Sequence, residues 1–416
     1  MRAACLGGLV ILGGALSDVQ AQPAPGAPNA QVVPAAQMLM PAEPDSNSPV
    51  VWSGGGSTIT IFHSTLNGPA RSSGPTLMPT ATPTLVNYVV PPAYNSWFES
   101  VMVAPNGTWY AYYHYEVPAT GVCPNDPRHM PSIGSARSLD NGQTWQDLGV
   151  ILEAPVGSQD CASPNLYFVG GVGDFSAIVD ESNTYLYIYF SQYSRVLADQ
   201  GIAVARMLWS DRDSPVGKIS VFRDGVWQPA YITEGTLVPG VAPTWRHVSG
   251  TPLFPTTRSW HAIDRVSNAF WGPSVHYNTY LNTFVMLMNH TSDVDWAQEG
   301  TYVTFSRNGM TDWTYPRQLI AGGGWYPQII GIEPGTGTDK RAGDMPRLFI
   351  RGVSTSQIHF SPLSAPNSEP ASDPPIKVAP IDAGAPEAAP EVVTMVAPEP
   401  SPIVAVPASV GVGFDL

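Results

Sequence analysis

The sequence predicts an all-β protein in which short strands form a five-bladed β-propeller, and three observations support this prediction. The stretch from Trp97 to Trp145 reads as four short antiparallel strands, the length of one propeller blade. Similar strand openings recur along the chain: WFESV from 97, GDFSA from 173, WGPSV from 271 and WYPQI from 325. The central residues 49–362 are rich in Trp, Tyr and Gly and are long enough for one large β domain.

The unit that begins at Trp97 is the clearest, and it sets the register for the others. Pro105-Asn106-Gly107 and Asp140-Asn141-Gly142 are turn sequences between runs rich in β-branched and aromatic residues. We expect the strands of this unit near 97–103, 109–115, 133–138 and 145–152.

The other units follow from the same register. The first is irregular, with strands near 59–62 and 84–90; the third has strands from Gly173 and at 185–190, 201–207 and 221–227; the fourth extends from Trp271 to Trp313; the fifth begins at Trp325 and continues near 346 and 357. A row of blades that did not close would leave strand edges exposed, so we expect a ring. Six blades are the alternative, if residues 246–264 contain a further unit.

Both ends of the chain differ in composition from the centre. Residues 1–21 contain Arg2, an apolar run and small residues before a cleavage point, which is typical of a secretory signal peptide; a short membrane anchor is the alternative. Residues 22–48 are rich in Pro, Ala and Gln and predict a flexible linker. Residues 363–416 alternate Pro, Ala, Val and acids and predict a disordered tail. We therefore expect a secreted or cell-surface protein whose mature domain is not inserted in a membrane.

The formal net charge is −14 on a weakly charged chain of 416 residues. This acidic balance argues against nucleic acid or an anionic membrane surface as a partner. Few charges combined with many aromatic residues favour a neutral polymer, such as a poly- or oligosaccharide, and we expect a monomer. Removal of the signal peptide leaves Cys123 and Cys161, which in a secreted protein predict one disulfide; two unrelated buried thiols are the alternative.

Residues 138–145, SLDNGQTW, match the pattern Ser-x-Asp-x-Gly-x-Thr-Trp. This segment resembles the Asp-box turns of sialidases, and 306–313 is a degenerate copy. Such a turn is a folding motif, because its Asp and Ser side chains bond turn amides while its Trp packs between strands. The Arg-Ile-Pro segment of true sialidases is missing from the sequence. The domain is more similar to the five-bladed propeller glycoside hydrolases of families 43 and 32, a resemblance that implies hydrolysis of an extracellular polysaccharide.

In a propeller, the entrances of the first strands lie on the same face as the loops between strands two and three and between strands four and one. Glycoside hydrolysis needs one carboxylic acid and one carboxylate, and Glu99 and Asp174 are the favoured pair, because both lie at such entrances. Burial would raise the pKa of one of them and suit it to act as the acid. Further catalytic candidates are Glu116 and Asp264, with Asp293 as another option. The substrate-binding candidates are Trp97, His114, Arg195, Trp260, His261, Trp271 and Trp325. Each of these residues also has a purely structural interpretation, as a strand, cap or packing residue.

Two expectations about the site remain open. We expect no cofactor, although Asp293, Asp295 and Glu299 are oxygen donors that could hold a structural calcium ion. The resembling hydrolases also take a third carboxylate from the first blade, and VVWSGGGSTITIFHS contains no acid. The leading hypothesis is thus a secreted glycoside hydrolase, and the alternative is a non-catalytic carbohydrate-binding or adhesion propeller. A third possibility, a structural surface protein, predicts a channel filled by apolar side chains.

Overall fold

The computed structural model describes residues 28–42, 45–65, 67–78, 81–234 and 244–362. The predicted signal peptide at 1–21 and the predicted tail at 363–416 lie outside these ranges. Nothing in the described part of the chain forms a helix of the length and apolarity needed to cross a membrane. Strands dominate, and the helical segments among the described residues are three short 3-10 turns at Ala119–Gly121, Leu197–Asp199 and Trp209–Asp211.

The strands are arranged in five main sheets, which confirms the prediction of a five-bladed β-propeller. In chain order they are β1 (Asn29–Leu39), β2 (Val50–Ser53), β3 (Thr58–Thr65), β4 (Gly68–Gly74), β5 (Thr84–Leu85), β6 (Asn87–Val90), β7 (Ser96–Val103), β8 (Trp109–Pro118), β9 (His129–Ser138), β10 (Thr144–Leu152), β11 (Val172–Val179), β12 (Tyr185–Gln192), β13 (Gly201–Leu208), β14 (Ser220–Arg223), β15 (Val226–Pro229), β16 (Tyr231–Glu234), β17 (Thr244–His247), β18 (Phe270–Asn278), β19 (Thr283–Thr291), β20 (Gln298–Phe305), β21 (Arg317–Ala321), β22 (Pro327–Ile330), β23 (Arg341–Ala342), β24 (Arg347–Ile350) and β25 (Val353–Ser361).

Within each blade the first strand is innermost and the later strands follow outward. The blades are β2 to β5, β7 to β10 with β6 on the outer edge, β11 to β15, β18 to β21, and β22 with β24, β25 and β1. The short β23 pairs in parallel with β18 on the inner side of the fourth blade. We call the face that carries the loops β8–β9 and β10–β11 the mouth face, and the other end of the channel the opposite face.

Apolar side chains fill the space between every pair of neighbouring blades. Tyr112 of the second blade packs with Phe175 of the third, and separate clusters join the third to the fourth blade and the fourth to the fifth. Phe62 joins the first blade to the second, and Ile330 of the fifth blade packs with Ile61 of the first. Five such layers make the ring continuous, and each layer removes apolar surface from water.

The ring is closed by β1, which forms the outermost strand of the fifth blade. It pairs antiparallel with β25 from Asn29 opposite Ser361 to Leu39 opposite Val353. The prediction of a flexible linker over 22–48 is therefore wrong for Asn29–Leu39, and the described domain begins at residue 28 rather than 49. The composition of this stretch gave the wrong prediction because the strand is held in place by pairing with β25 and not by the burial of a long apolar run.

Two smaller expectations are also corrected. The predicted single strand at 221–227 is a hairpin, β14 and β15, because Asp224 and Gly225 both adopt positive φ, the conformation of a tight two-residue turn. The hairpin β16–β17 is separate from the five sheets, and the described residues 248–269 form no strand of a sixth blade.

The turn at 138–145 anchors the second blade. Asp140 Oδ1 accepts from the backbone N–H groups of Gln143 (3.1 Å) and Thr144 (2.8 Å), and Ser138 Oγ accepts from Gly142 N–H (2.9 Å). The indole of Trp145 packs 4.8 Å from Phe98. In the related segment at 306–313, Asn308 accepts the turn amides in place of an aspartate, and Trp313 packs 5.5 Å from Tyr189.

Candidate active site

Three side chains from neighbouring strands meet in the central channel below the mouth face. Glu99 comes from β7, His114 from β8 and Asp174 from β11, and one ligand-type atom from each lies within 4.8 Å of the other two. Glu99 is 1% exposed, and His114 and Asp174 are 5% exposed. The predicted pairing of Glu99 with Asp174 across adjacent first strands therefore corresponds to a real cluster.

Hydrogen bonds fix this cluster on both sides. Glu99 Oε2 accepts from the backbone N–H of Phe175 at 2.5 Å, and Tyr193 O–H donates to Asp174 Oδ2. The backbone N–H of Asp174 donates to His114 Nδ1 at 3.1 Å. Asp174 itself has a φ of 38°, a strained backbone conformation for a non-glycine residue and one that recurs at functional sites.

Gly173 explains why the third unit lacks the tryptophan that opens the second, fourth and fifth units. A Cβ atom at position 173 would lie 2.5 Å from Cε1 of His114, closer than real contacts allow. The glycine thus makes room for the imidazole between the two carboxyl groups.

Burial and the charges of the neighbouring groups shift the pKa values of all three side chains. Burial raises the pKa of Glu99 to about 7, and the nearby Asp174 charge adds to this effect, although His114 opposes it. Burial lowers the pKa of His114, but Glu99, Asp174 and Glu116 more than offset this and raise it to about 9. Burial also raises the pKa of Asp174, against the opposing effects of His114 and Tyr193.

The cluster has two proton arrangements. Nδ1 of His114 lies 3.4 Å from Glu99 Oε1, which has no hydrogen-bond partner. Nδ1 cannot accept from Asp174 N–H and donate to Glu99 at the same time. Either Glu99 holds the proton and the imidazole accepts from Asp174, or the imidazole holds it and faces an ionised Glu99. Because the pKa of His114 is raised to about 9, the second arrangement is favoured at neutral pH.

Asp45 is the acid that sequence reasoning missed. It is exposed, and its negative charge raises the pKa of Asp174 and of Tyr326, which places it near the cluster. Asn47, two residues further along the chain, is buried and bridges two blades, because its amide donates to the carbonyl groups of Phe175 (3.1 Å) and Pro273 (2.9 Å). The first blade thus has an acid just before its first strand, within the stretch predicted to be a linker. The sequence signal that could have identified Asp45 is its position just ahead of the first strand of a blade.

The other predicted acids lie in different surroundings. Glu116 lies at the edge of the cluster, 3.9 Å from His114 Nε2 and 3.6 Å from His129 Nδ1. Asp264 is exposed and bonds Arg258 at 3.4 Å, so the structure does not bring it to the cluster.

The three acids considered for calcium each engage a different partner. Asp293 accepts turn amides, including that of Asp295 at 2.9 Å. Asp295 forms an ion pair with Arg265, and Glu299 contacts Nδ1 of His290. In the part of the chain that the structure describes, these carboxylates do not form one ligand group; the group with ligand spacing is Glu99, His114 and Asp174.

Aromatic side chains cover the cluster from the mouth face, and we call them the cap: Phe168, Tyr193, Trp260, Trp271 and Trp296. Phe168 stacks on Tyr193 at 4.8 Å and lies 6.2 Å from the His114 ring. Of the substrate-binding candidates, Trp260 and Trp271 are fully buried in this cap, and Trp97 is 8% exposed beside His114. Trp325 packs partly exposed at the rim of the cap.

Two further predicted binding residues have plain structural contacts. His261 is buried, and its ring contacts Ser163 Oγ at 2.7 Å and the Tyr193 carbonyl at 2.9 Å; burial lowers its pKa. The side chain of Arg195 is exposed, while its backbone N–H donates to Ser158 at 2.6 Å.

The predicted disulfide between Cys123 and Cys161 is present, which confirms that prediction. It joins the β8–β9 loop to the β10–β11 loop that carries Phe168. Arg128 reinforces the junction, because its guanidinium pairs with Asp126 at 2.6 Å and donates to the carbonyl of Ser163 at 2.6 Å. Both loops beside the cap are therefore tied together.

No protein-family model matches the chain, and no curated protein matches it. Solved structures similar to it include an endo-arabinase from Bacteroides thetaiotaomicron, with 11% identity, coverage of 80% of this chain and 99% of that one, and a TM-score of 0.42. An arabinanase from Bacillus subtilis has 12% identity, 77% and 96% coverage and a TM-score of 0.40. A thermostable family-43 glycoside hydrolase has 11% identity, 85% and 97% coverage and a TM-score of 0.43. The likeness is one of fold, and the assignment of five blades to this chain rests on its own strand pairing.

Proposed function

We propose that this protein is a glycoside hydrolase acting on an extracellular polysaccharide. The observation that carries the proposal is the buried Glu99–His114–Asp174 cluster, in which two carboxyl groups with raised pKa values meet in the channel. Glycosidic cleavage uses two carboxyl groups that are about 5–5.5 Å apart in retaining enzymes and about 6.5–9.5 Å apart in inverting ones. One carboxylate oxygen of Glu99 and one of Asp174 lie within 4.8 Å of each other.

The environments of the two carboxyl groups suggest different roles. Because its pKa is raised to about 7, Glu99 is protonated in part of the molecules at neutral pH and can give that proton to a leaving oxygen. Tyr193 and His114 favour the ionised form of Asp174, which suits it as base or nucleophile. Asp45 lies at the exposed end of the site as a third carboxylate. Because the cap covers the pair, the proposed reaction requires side chains of the cap to move before a substrate can reach it.

The test is hydrolysis of a panel of arabinan, galactan, xylan, levan and related polymers, followed by reducing-sugar release. Glu99→Gln and Asp174→Asn are each expected to lower the rate by at least about a hundredfold, because each removes one proton-transferring group. Asp264→Asn is the matched control, since Asp264 is an exposed acid away from the cluster. Hydrolysis that survives both cluster variants would contradict these roles.

A second candidate function is carbohydrate binding without catalysis. The observation that favours it is the near-complete burial of Glu99 and Asp174 beneath the cap. This alternative predicts saturable binding of a polymer in the panel, no release of reducing sugar, and binding that Glu99→Gln leaves unchanged.

We also propose that the protein is secreted, as the sequence of residues 1–21 predicts. The disulfide is consistent with an oxidising compartment. Mass spectrometry of protein recovered from the medium should give an N-terminus at Gln22. Recovery of the full-length chain in the membrane fraction would contradict this.

A further inference from the structure

A second concavity opens on the opposite face of the propeller, away from the cap. Its volume is about 280 Å³. It is lined by the last residues of two inner strands, Val103 of β7 and Val179 of β11, and by Trp209 just after β13. These positions mark the end of the channel opposite the mouth. The cleft is therefore separate from the carboxyl cluster.

The loop between β22 and β24 builds one wall of this cleft and is firmly held. Asp339 is 1% exposed; its Oδ1 accepts from the backbone N–H of Val50 at 2.8 Å, and its Oδ2 pairs with Lys340 Nζ at 3.1 Å. Lys340 Nζ also donates to Ser176 Oγ at 3.0 Å. The indole N–H of Trp52 donates to the carbonyl of Gly337 at 2.8 Å, so the ring is fixed where it lines the cleft.

The charges around the cleft are balanced. Lys340 is neutralised by Asp339, and the neighbouring Arg341 pairs with Glu181 at 3.2 Å. A free anion or cation therefore has no uncompensated charge to bind. Hydrogen-bonding groups remain on the rim, because an ammonium has three donors and Lys340 donates one hydrogen bond, to Ser176. Its contact with Asp339 is an ion pair without a hydrogen bond to Oδ2. The exposed Thr336 also lines the cleft.

An indole wall, an apolar floor and hydrogen-bonding groups whose charge is balanced suit one class of ligand, a neutral sugar ring. Such a ring has an apolar C–H face that packs on an aromatic ring and hydroxyl groups that bond polar groups at the edge. The volume accommodates one or two sugar units and excludes a folded macromolecule.

We propose that this cleft is a second saccharide-binding site, which holds a neutral unit of a glycan chain against Trp52. This proposal takes only the class of ligand, a saccharide, from the proposed function. It assigns the opposite face a tethering role that is independent of cleavage at the mouth.

The test uses the Glu99→Gln protein, which retains both faces, and measures its affinity for each soluble polymer of the panel by affinity electrophoresis. Adding Trp52→Ala should weaken binding about tenfold, because the stacking surface is lost. Trp52→Phe keeps an aromatic ring but loses the indole N–H that bonds Gly337, and it should retain affinity within about threefold. This variant therefore distinguishes the effect of stacking from the effect of that hydrogen bond. Trp227→Ala is the matched control, a partly exposed Trp on the outer hairpin of the third blade that packs under Arg206.

Hydrogen exchange supplies a second readout. Bound oligosaccharide should protect the backbone of 50–53 and 333–340. Protection confined to the region around Phe168 and Tyr193, or unchanged affinity in a folded Trp52→Ala protein, would overturn the proposal. If hydrolysis is found but Trp52 has no effect, the second site fails and the enzyme stands. If binding depends on Trp52 and no hydrolysis is found, the second site stands and the enzyme fails.

Discussion

Glu99 connects the chemistry of the site to the stability of the fold. Its pKa rises from 4.5 in an unfolded chain to about 7 in the folded protein, because the carboxylate is buried. The pKa of His114 rises from 6.5 to about 9, mainly because Glu99 and Asp174 overcome the effect of burial. In both cases the folded state holds protons more tightly than the unfolded state. Stability is therefore greatest below the unfolded pKa values and falls as the pH rises through the folded ones.

The expected result is a free energy of unfolding that decreases between about pH 5 and pH 9. In Glu99→Gln the decrease should be smaller, because the titrating acid is gone and His114 has lost a partner that raises its pKa. Urea unfolding at pH 5, 7 and 9 measures both slopes. The same slope in both proteins would show that groups other than Glu99 and His114 determine the pH dependence of stability.

Tyr193 should act on the reaction through Asp174, to which it donates a hydrogen bond. Tyr193→Phe removes a contact that lowers the pKa of Asp174, so that pKa should rise. If Asp174 acts as the base, activity is lost as the pH falls through this pKa. The acid limb of the kcat/KM profile should then move to higher pH. If activity falls but the acid limb of the profile stays at the same pH, Tyr193 has a purely structural role.

Gly173 is expected to tolerate no side chain. Gly173→Ala should cost about 1–3 kcal/mol of stability, because the new Cβ would meet His114 at 2.5 Å. Gly121→Ala is the matched control, since a Cβ there meets nothing within 4 Å. Thermal unfolding of both proteins measures the difference. Equal melting temperatures would show that His114 moves aside at no cost.

At the scale of elements, β1 makes the fifth blade depend on the start of the domain. Arg317 strengthens the attachment, because it donates to the Ala30 carbonyl at 2.8 Å and to Asn29 Oδ1 at 3.2 Å. Without β1, the long edge of β25 would lie open to solvent and to other chains.

Deletion of residues 1–40 should lower the melting temperature by about 10 °C and promote aggregation, because the strand that covers β25 is removed. Deletion of residues 1–27, which precede the described domain, is the control and should have little effect. Calorimetry and light scattering measure the two outcomes. Equal stability of the two truncations would mean that β1 contributes no net stability.

The elements that the sequence predicted best are those with a local pattern. In the second blade, aromatic and β-branched runs separated by Asn-Gly turns placed β7 to β10 within a few residues, and the register of the first strands brought Glu99 to Asp174. β1 was not predictable in this way, since its partner β25 lies more than 300 residues away in the sequence. Asp45 was missed for a related reason, because long-range bonds made by Asn47 set its position.

For the whole molecule, the five interblade layers hold the ring together, and the two ends of the channel are covered in different ways. The cap fills the mouth with aromatic side chains, and the loop carrying Lys340 covers part of the other end. The two ends differ in chemistry, with ionisable groups beneath one and a neutralised charge pair beside the other. This asymmetry is what allows cleavage and tethering to be proposed for separate faces.

The pairing of Asn29 with Ser361 places the entry and the exit of the domain side by side. Because β25 runs from the mouth face toward the opposite face, both points lie at the end of the ring away from the cap. A short peptide could join them, and new termini could be opened in an exposed turn such as Pro105-Asn106-Gly107 without breaking a strand. A fusion partner attached at either terminus would leave the domain from this same point, with the cap turned away from it.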